Sequence, residues 1–199
     1  MKRLLLITLF VGAMFHDSFA QNTDTVVIGR QIWMAHNLNV KTFQNGDTIP
    51  HAQTEEEWEK AGKEGTPAWC YYDNTNYDVD SVINENSERM YNWYAVNDTR
   101  KLTPEGWHIP SHSEWESLIT HLGGENTSSA EAEDFLYVGC HGNNFGGTFS
   151  QIGHQNGWWS STEFDDGYAW YRFAPDIVGG FGKDYGLKGL GFSVRCIRN

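Results

Sequence analysis

The sequence predicts an α+β domain, with two main helices packed on short, twisted antiparallel strands and a large share of irregular loop. Three observations carry this. Two stretches, TEEEWEKAGKEG from Thr54 and SHSEWESLITHLGG from Ser111, read as capped helices. The remaining apolar residues fall in short runs rich in aromatic and branched side chains, which favour strands. The chain also holds 21 glycines, a number that implies many tight turns.

In chain order, TVVIGRQIWM from Thr25 is β-like, and NGDTIP (Asn45 to Pro50) is turn chemistry. Thr54 can cap a helix, and Glu57 three residues on can close a capping box. The acids in that first turn suit the helix dipole. Trp58 and Ala61 give the helix an apolar side, and Gly62 or Gly65 ends it. Residues 73–89 are a polar loop, after which RMYNWYAVN returns to apolar residues and EGWHIP follows. In the second helix Ser111 and Glu114 form another capping box. Trp115, Leu118, Ile119 and Leu122 fall on one helical face, and Gly123 supplies the stop. Beyond it the chain is rich in Gly, Asn and Ser, with short aromatic strands up to GFSVRCIRN. No repeat or linker interrupts it, so residues 21–199 are expected to be one domain.

Residues 1–20 have the anatomy of a secretory signal peptide. Lys2 and Arg3 are a basic start, Leu4 to Phe15 is mostly apolar but too short to cross a bilayer, and Ser18-Phe19-Ala20 is a small-x-small ending. The expectation is an exported protein, periplasmic, cell-surface or secreted, with no membrane insertion. The formal net charge of −12 argues against nucleic acid, whose phosphates want a basic face, and against an anionic lipid surface.

Motifs for chemistry are sparse. His108 and His112 are separated by Pro110, so they do not share a helix face, and no H-E-x-x-H or G-x-S-x-G is present. GGFGKDYG (Gly179 to Gly186) lacks the Ser or Thr of a phosphate loop and reads as flexible loop. Calcium is the one cofactor with a candidate. Asn74, Asn76, Asp78 and Asp80 alternate, and Glu85 falls at the twelfth position counted from Asn74, where an EF-hand loop places its bidentate Glu. The sixth position is Val79 rather than Gly, so any such site would have another geometry. Cys70, Cys140 and Cys196 allow one disulfide and one thiol, without deciding the pair.

The densest feature is GWWSSTEFDDGYAWYRF, Gly157 to Phe173. Asp165-Asp166-Gly167 signals a hairpin between two β-like runs. In the second strand Tyr168, Trp170 and Arg172 share one face, and Ala169, Tyr171 and Phe173 the other. Trp158 and Trp159 necessarily point opposite ways. Small Ala169 and apolar Phe173 suggest that the second face is core. The first face, with Trp158 or Trp159 beside it, is then expected to be open for ligand. Tyr and Trp give rigid contact area with a polar handle, and Glu163, Asp165, Asp166 and Arg172 could add directional bonds.

Several pieces in order, IGRQIWMAHNLNV, WCYYDN, YNWYAVN, LTPEGWHIPSHSEWESLITHLGG, GWWSSTE, AWYRF and GFSVRCIR, resemble the Fibrobacter succinogenes major paralogous domain family, over nearly all of residues 25–198. The resemblance implies a C-type-lectin-like fold akin to the formylglycine-generating enzyme and to the variable receptor-binding proteins of diversity-generating retroelements. In the latter the final third displays the ligand-binding residues, which here adds Phe181, Lys183 and Tyr185 to the hairpin candidates. Relatives often carry a Cys where this chain has Thr103, and are often lipoproteins, for which this chain has no attachment Cys. The expected function is a non-catalytic binding module for a glycan or protein surface. The alternatives are an assembly subunit of an envelope complex and, less favoured, an enzyme related to formylglycine-generating enzymes.

Overall fold

The computed structural model describes residues 24–71, 88–125, 127, 155–175 and 180–199. The β-like run at Thr25 is split by Gly29, whose φ of 59° turns the chain. It gives an antiparallel hairpin of β1 (Thr25–Ile28) and β2 (Gln31–Met34). α1 spans Glu55–Glu64, and Gly65 in the left-handed region ends it. Thr54 caps as expected, its hydroxyl accepting from the Glu57 backbone N–H at 3.2 Å. The return half of the box is displaced by one residue, because the Glu57 carboxylate accepts from the Gln53 N–H at 2.7 Å.

β3 (Trp69–Tyr71) pairs antiparallel with β4 (Arg89–Tyr91). A short helix, α2 (Trp93–Val96), then follows within a stretch the sequence marks only as apolar. Its cap is the buried Asn92, whose side chain also holds the Ala68 N–H at 3.0 Å and the Thr66 carbonyl at 2.8 Å. β5 is Trp107–His108. α3 spans His112–Leu122 with a complete Ser111/Glu114 capping box and Gly123 at its end, and it buries Trp115, Leu118, Ile119 and Leu122 as its periodicity predicts.

β6 (Gln155–Glu163) and β7 (Tyr168–Pro175) form the expected hairpin, with an irregular register between Trp159 and Glu163. β8 (Gly182–Leu187) pairs with β7 and makes it the centre of a three-stranded sheet, so GGFGKDYG is largely an edge strand rather than a flexible loop. β9 (Ile197–Arg198) lies between β2 and β5, giving the order β1-β2-β9-β5. The chain is therefore mixed α+β, with antiparallel pairing throughout its named strands. No helix among the described residues is long and apolar enough to cross a membrane.

Apolar side chains gather in three clusters. The largest joins Met34, Leu38, Trp159, Tyr171 and Phe192. The second sets Trp33, Trp115 and Trp158 between α3 and the strands. The third holds Trp58, Cys70 and Met90 under α1. The three-stranded sheet thus has core against both faces over its β6 half. Trp158 enters the second cluster and Trp159 the first, as alternation requires. Each buried ring removes enough apolar surface to contribute about 4–6 kcal/mol before conformational entropy is counted.

Candidate functional site

Strand register builds the site. Tyr168 pairs with Leu187, Trp170 with Tyr185 and Arg172 with Lys183, so these six side chains share one face of β7 and β8. Along this face cover runs out. At the Arg172 end, α3 lies against the sheet and Arg172 is wholly buried, its Nη2 donating to Glu116 Oε1 at 2.6 Å. Trp170 is half-buried, with the His112 ring of α3 at 4.4 Å. Past it the sheet extends beyond the helix, and Tyr168, Tyr185 and Leu187 are 37, 45 and 50 % exposed.

Phe164 completes the surface. It leaves the hairpin turn 44 % exposed and stacks on Tyr185 with centroids 4.0 Å apart and planes within 2°. Trp170 meets both Phe164 and Tyr185 edge-on, at 5.3 and 5.9 Å. Tyr168 meets Tyr185 edge-on at 5.8 Å. The three edge-on contacts have the favoured geometry for aromatic pairs, and the Phe164–Tyr185 stack is closer than the usual range. The four rings therefore hold one another in a closed-up platform rather than moving singly.

The turn is fixed by its own carboxylate. Asp165 Oδ1 accepts from the Gly167 and Tyr168 N–H groups, each at 2.9 Å. Lys188, which is buried, ties the turn to the body. Its ammonium donates to Glu163 and, at 2.8 Å, to the Asp166 carbonyl, and it lies 4.9 Å over the Trp93 ring. At the other end Lys183 bridges Glu116 at 3.0 Å and Glu125 at 3.3 Å. The Arg172 hydrogen bond, with help from Lys183, holds the Glu116 carboxyl down at about 2. Burial and the Arg172 charge lower the pKa of His112, so the neutral ring is the form favoured against Trp170.

Several expected site residues lie elsewhere. Trp158 and Trp159 are core, not surface. Their indole N–H groups donate inward, to Asn37 Oδ1 at 3.0 Å and the Tyr91 carbonyl at 2.8 Å. Arg172 shares the predicted face but is covered by α3 and engaged by Glu116. Phe181 is buried in the second cluster. Tyr168 and Tyr185 stand exposed, Trp170 is half-exposed, and Glu163, Asp165, Asp166 and Lys183 lie at the rim. Ala169 and Tyr171 are core, as expected of the opposite face.

The sequence reading missed Phe164, Leu187 and Lys188. Phe164 stands directly before the Asp-Asp-Gly turn, and a hairpin residue folding back on its partner strand was the available signal. The calcium candidates Asn74, Asn76, Asp78, Asp80 and Glu85, together with Cys140, lie outside the described residues. Among the described residues no three His, Cys, Asp or Glu side chains gather as a metal would need. Cys196 is a buried thiol in no disulfide, and burial pushes its pKa up.

The model of the Fibrobacter succinogenes major domain matches residues 26–136. The match runs from β1 past the end of α3 and stops before β6, so the aromatic platform lies C-terminal to it. No curated protein and no solved structure matches the chain.

Proposed function

The chain belongs to the Fibrobacter succinogenes major domain family, and from that premise we propose that it is an exported, non-catalytic binding module that holds a glycan or protein surface on the aromatic end of the β6–β7–β8 sheet. The observation that carries this reading is the joint exposure of Phe164, Tyr168, Tyr185 and Leu187 in mutual contact or register. Single exposed apolar residues are ordinary, whereas a contiguous group marks an interaction surface. The rings are already packed on each other, so binding would order little that is not ordered beforehand.

The finer fold reading is C-type-lectin-like. It is supported by the pairing of C-terminal β9 with N-terminal β2 and by helices set against antiparallel strands. The signal-like order of residues 1–20 supports export. The non-catalytic reading is supported by the burial of Cys70 and Cys196, since thiol chemistry needs an accessible thiolate. The assembly-subunit alternative draws on Phe164 and Leu187, which offer a partner no polar handle. It predicts a defined oligomer on sizing that Leu187→Asp dissolves.

The test is a glycan array together with envelope proteins presented to the purified chain. A ligand bound by wild type and by Val27→Ala, an exposed control on β1, should be lost by Tyr168→Ala/Tyr185→Ala. A ligand retained by the double variant would place recognition elsewhere, and the absence of any ligand would count against a binding module.

A further inference from the structure

The rim chemistry of the platform narrows what it can hold. On β6, β7, β8 and the turn between β6 and β7 the cations are Arg172 and Lys183, with Lys188 just after β8. All three are taken. Arg172 and Lys183 meet Glu116, Lys183 also meets Glu125, and Lys188 meets Glu163. The carboxylates are in excess, because neither the Asp165 nor the Asp166 side chain forms an ion pair among the described residues, the nearby Lys188 ammonium being paired with Glu163. Asp165 spends one oxygen on the turn N–H groups, and the exposed Asp166 side chain has no hydrogen-bond partner among the described residues. Arg172 Nε and Nη1 have no hydrogen-bond partner, but the residue is fully buried. Beside the rings the platform therefore offers acceptors and negative charge and, among the described residues, no exposed cation outside an ion pair. An acidic ligand meets repulsion with nothing to offset it. A ligand rich in hydroxyl donors meets acceptors.

Ring geometry then separates a hydroxyl-rich ligand from a cationic one. A single ring face attracts an ammonium group weakly, and tight capture takes several rings that stand apart and surround it. Here Phe164 and Tyr185 are in face-to-face contact at 4.0 Å, and Trp170 closes their edges. No gap remains between these rings for a cation to enter, while Phe164, Tyr168 and Tyr185 are 44, 37 and 45 % exposed. The faces of such rings carry the negative lobe of the aromatic quadrupole. They attract the weakly positive C–H face of a pyranose laid flat on them.

Resting on the binding-module reading above, we infer that the ligand is a neutral glycan. Its sugar rings lie on Tyr185 and Tyr168, and its hydroxyls donate to Asp166 and to the remaining oxygen of Asp165. Uronic, sulfated and sialylated glycans are excluded by the same carboxylates. Asp184, although exposed on β8, alternates to the opposite face of the strand and takes no part.

The test is native gel electrophoresis of the full chain through gels carrying galactomannan, xyloglucan or a soluble β-glucan as neutral probes, and polygalacturonate or alginate as acidic ones. Calorimetry with oligolysine supplies the cationic arm. Retardation by at least one neutral polymer and by neither acidic polymer is expected. Tyr185→Ala should weaken that retardation roughly tenfold or more in apparent affinity, and Asp166→Asn less. Val27→Ala should behave as wild type. Asp166→Lys should lower affinity for the neutral polymer and begin to retain polygalacturonate.

Retardation by the acidic polymers alone, or by none of the neutral ones, overturns the glycan assignment. Oligolysine binding that Tyr185→Ala abolishes also overturns it, while leaving the platform as the binding surface. Neutral-glycan retardation unchanged by both Tyr185→Ala and Tyr168→Ala overturns the platform itself. Unchanged unfolding midpoints of these exposed-site variants separate loss of binding from loss of fold.

Discussion

Replacing Glu116 with glutamine removes the carboxylate that meets the buried Arg172 guanidinium at 2.6 Å and Lys183 at 3.0 Å. The fall of the Glu116 carboxyl from its ordinary 4.5 to about 2 would correspond to on the order of 3 kcal/mol for a fully buried group. The Glu116 side chain is 37 % exposed, and solvent screening reduces this to about 1–2 kcal/mol. For a domain of this size that is about 3–6 °C in melting temperature. The pH dependence has a definite sign. The folded-state pKa is depressed, so the contribution is complete above the unfolded value near 4.5 and is lost as pH falls toward about 2. By pH 3 about 40 % of it remains.

The assay is urea unfolding of wild type and Glu116→Gln at pH 7 and pH 3. The gap between them should shrink on acidification. Arg172→Met should cost less at pH 7 than Glu116→Gln, because it leaves a partly hydrated carboxylate still paired with Lys183, whereas Glu116→Gln leaves a buried cation short of a partner. Equal stability of wild type and Glu116→Gln at pH 7, or a gap as large at pH 3, would refute the claim that this pair fixes α3 to the sheet.

Other perturbations have defined outcomes. Trp159→Ala removes a fully buried ring and its bond to the Tyr91 carbonyl and should cost about 3–5 kcal/mol in urea unfolding, against under about 1 kcal/mol if the ring were a surface ligand contact. Gly182→Ala would place a Cβ 2.1 Å from the Phe173 ring. It should cost about 1–3 kcal/mol, and Phe173→Leu should recover part of that loss in the double variant. With Cys70 and Cys140 replaced by alanine, the buried Cys196 thiol should ignore a thiol reagent in native protein and react fully in guanidinium, and native reactivity would contradict its burial.

What the sequence made legible follows from the range of the forces involved. Both long helices could be read because a cap and its periodic face lie within one short stretch, as Ser111, Glu114, Trp115 and Leu122 do. The β6–β7 hairpin could be read for the same reason, since Asp165 bonds to N–H groups two and three residues away. Burial of Arg172 was not legible. Its cover and its partner Glu116 come from α3, 56 residues distant, and strand alternation says only which face a side chain takes. Trp158 and Trp159 show the same limit, for alternation separated them correctly and yet both faces proved to be core there. β8 was hidden by its glycines. Gly182 suits a strand because Phe173 lies across it, a contact no local pattern announces. The short α2 on buried Asn92 likewise depends on neighbours outside its own turn, since the Asn92 side chain holds Thr66 and Ala68.

The central claim is that ligand rests on the aromatic end of the β6–β7–β8 sheet, and the chain's tryptophans report on it directly. Of nine, seven are buried, and only Trp107 and Trp170 are partly exposed. With fluorine-labelled tryptophan and the Trp170 resonance identified through Trp170→Phe, fluorine NMR should show that resonance alone moving as neutral glycan is added, while Trp107 and the seven buried rings stay in place. A shift confined to Trp107, or glycan binding that leaves Trp170 unmoved, would contradict the account.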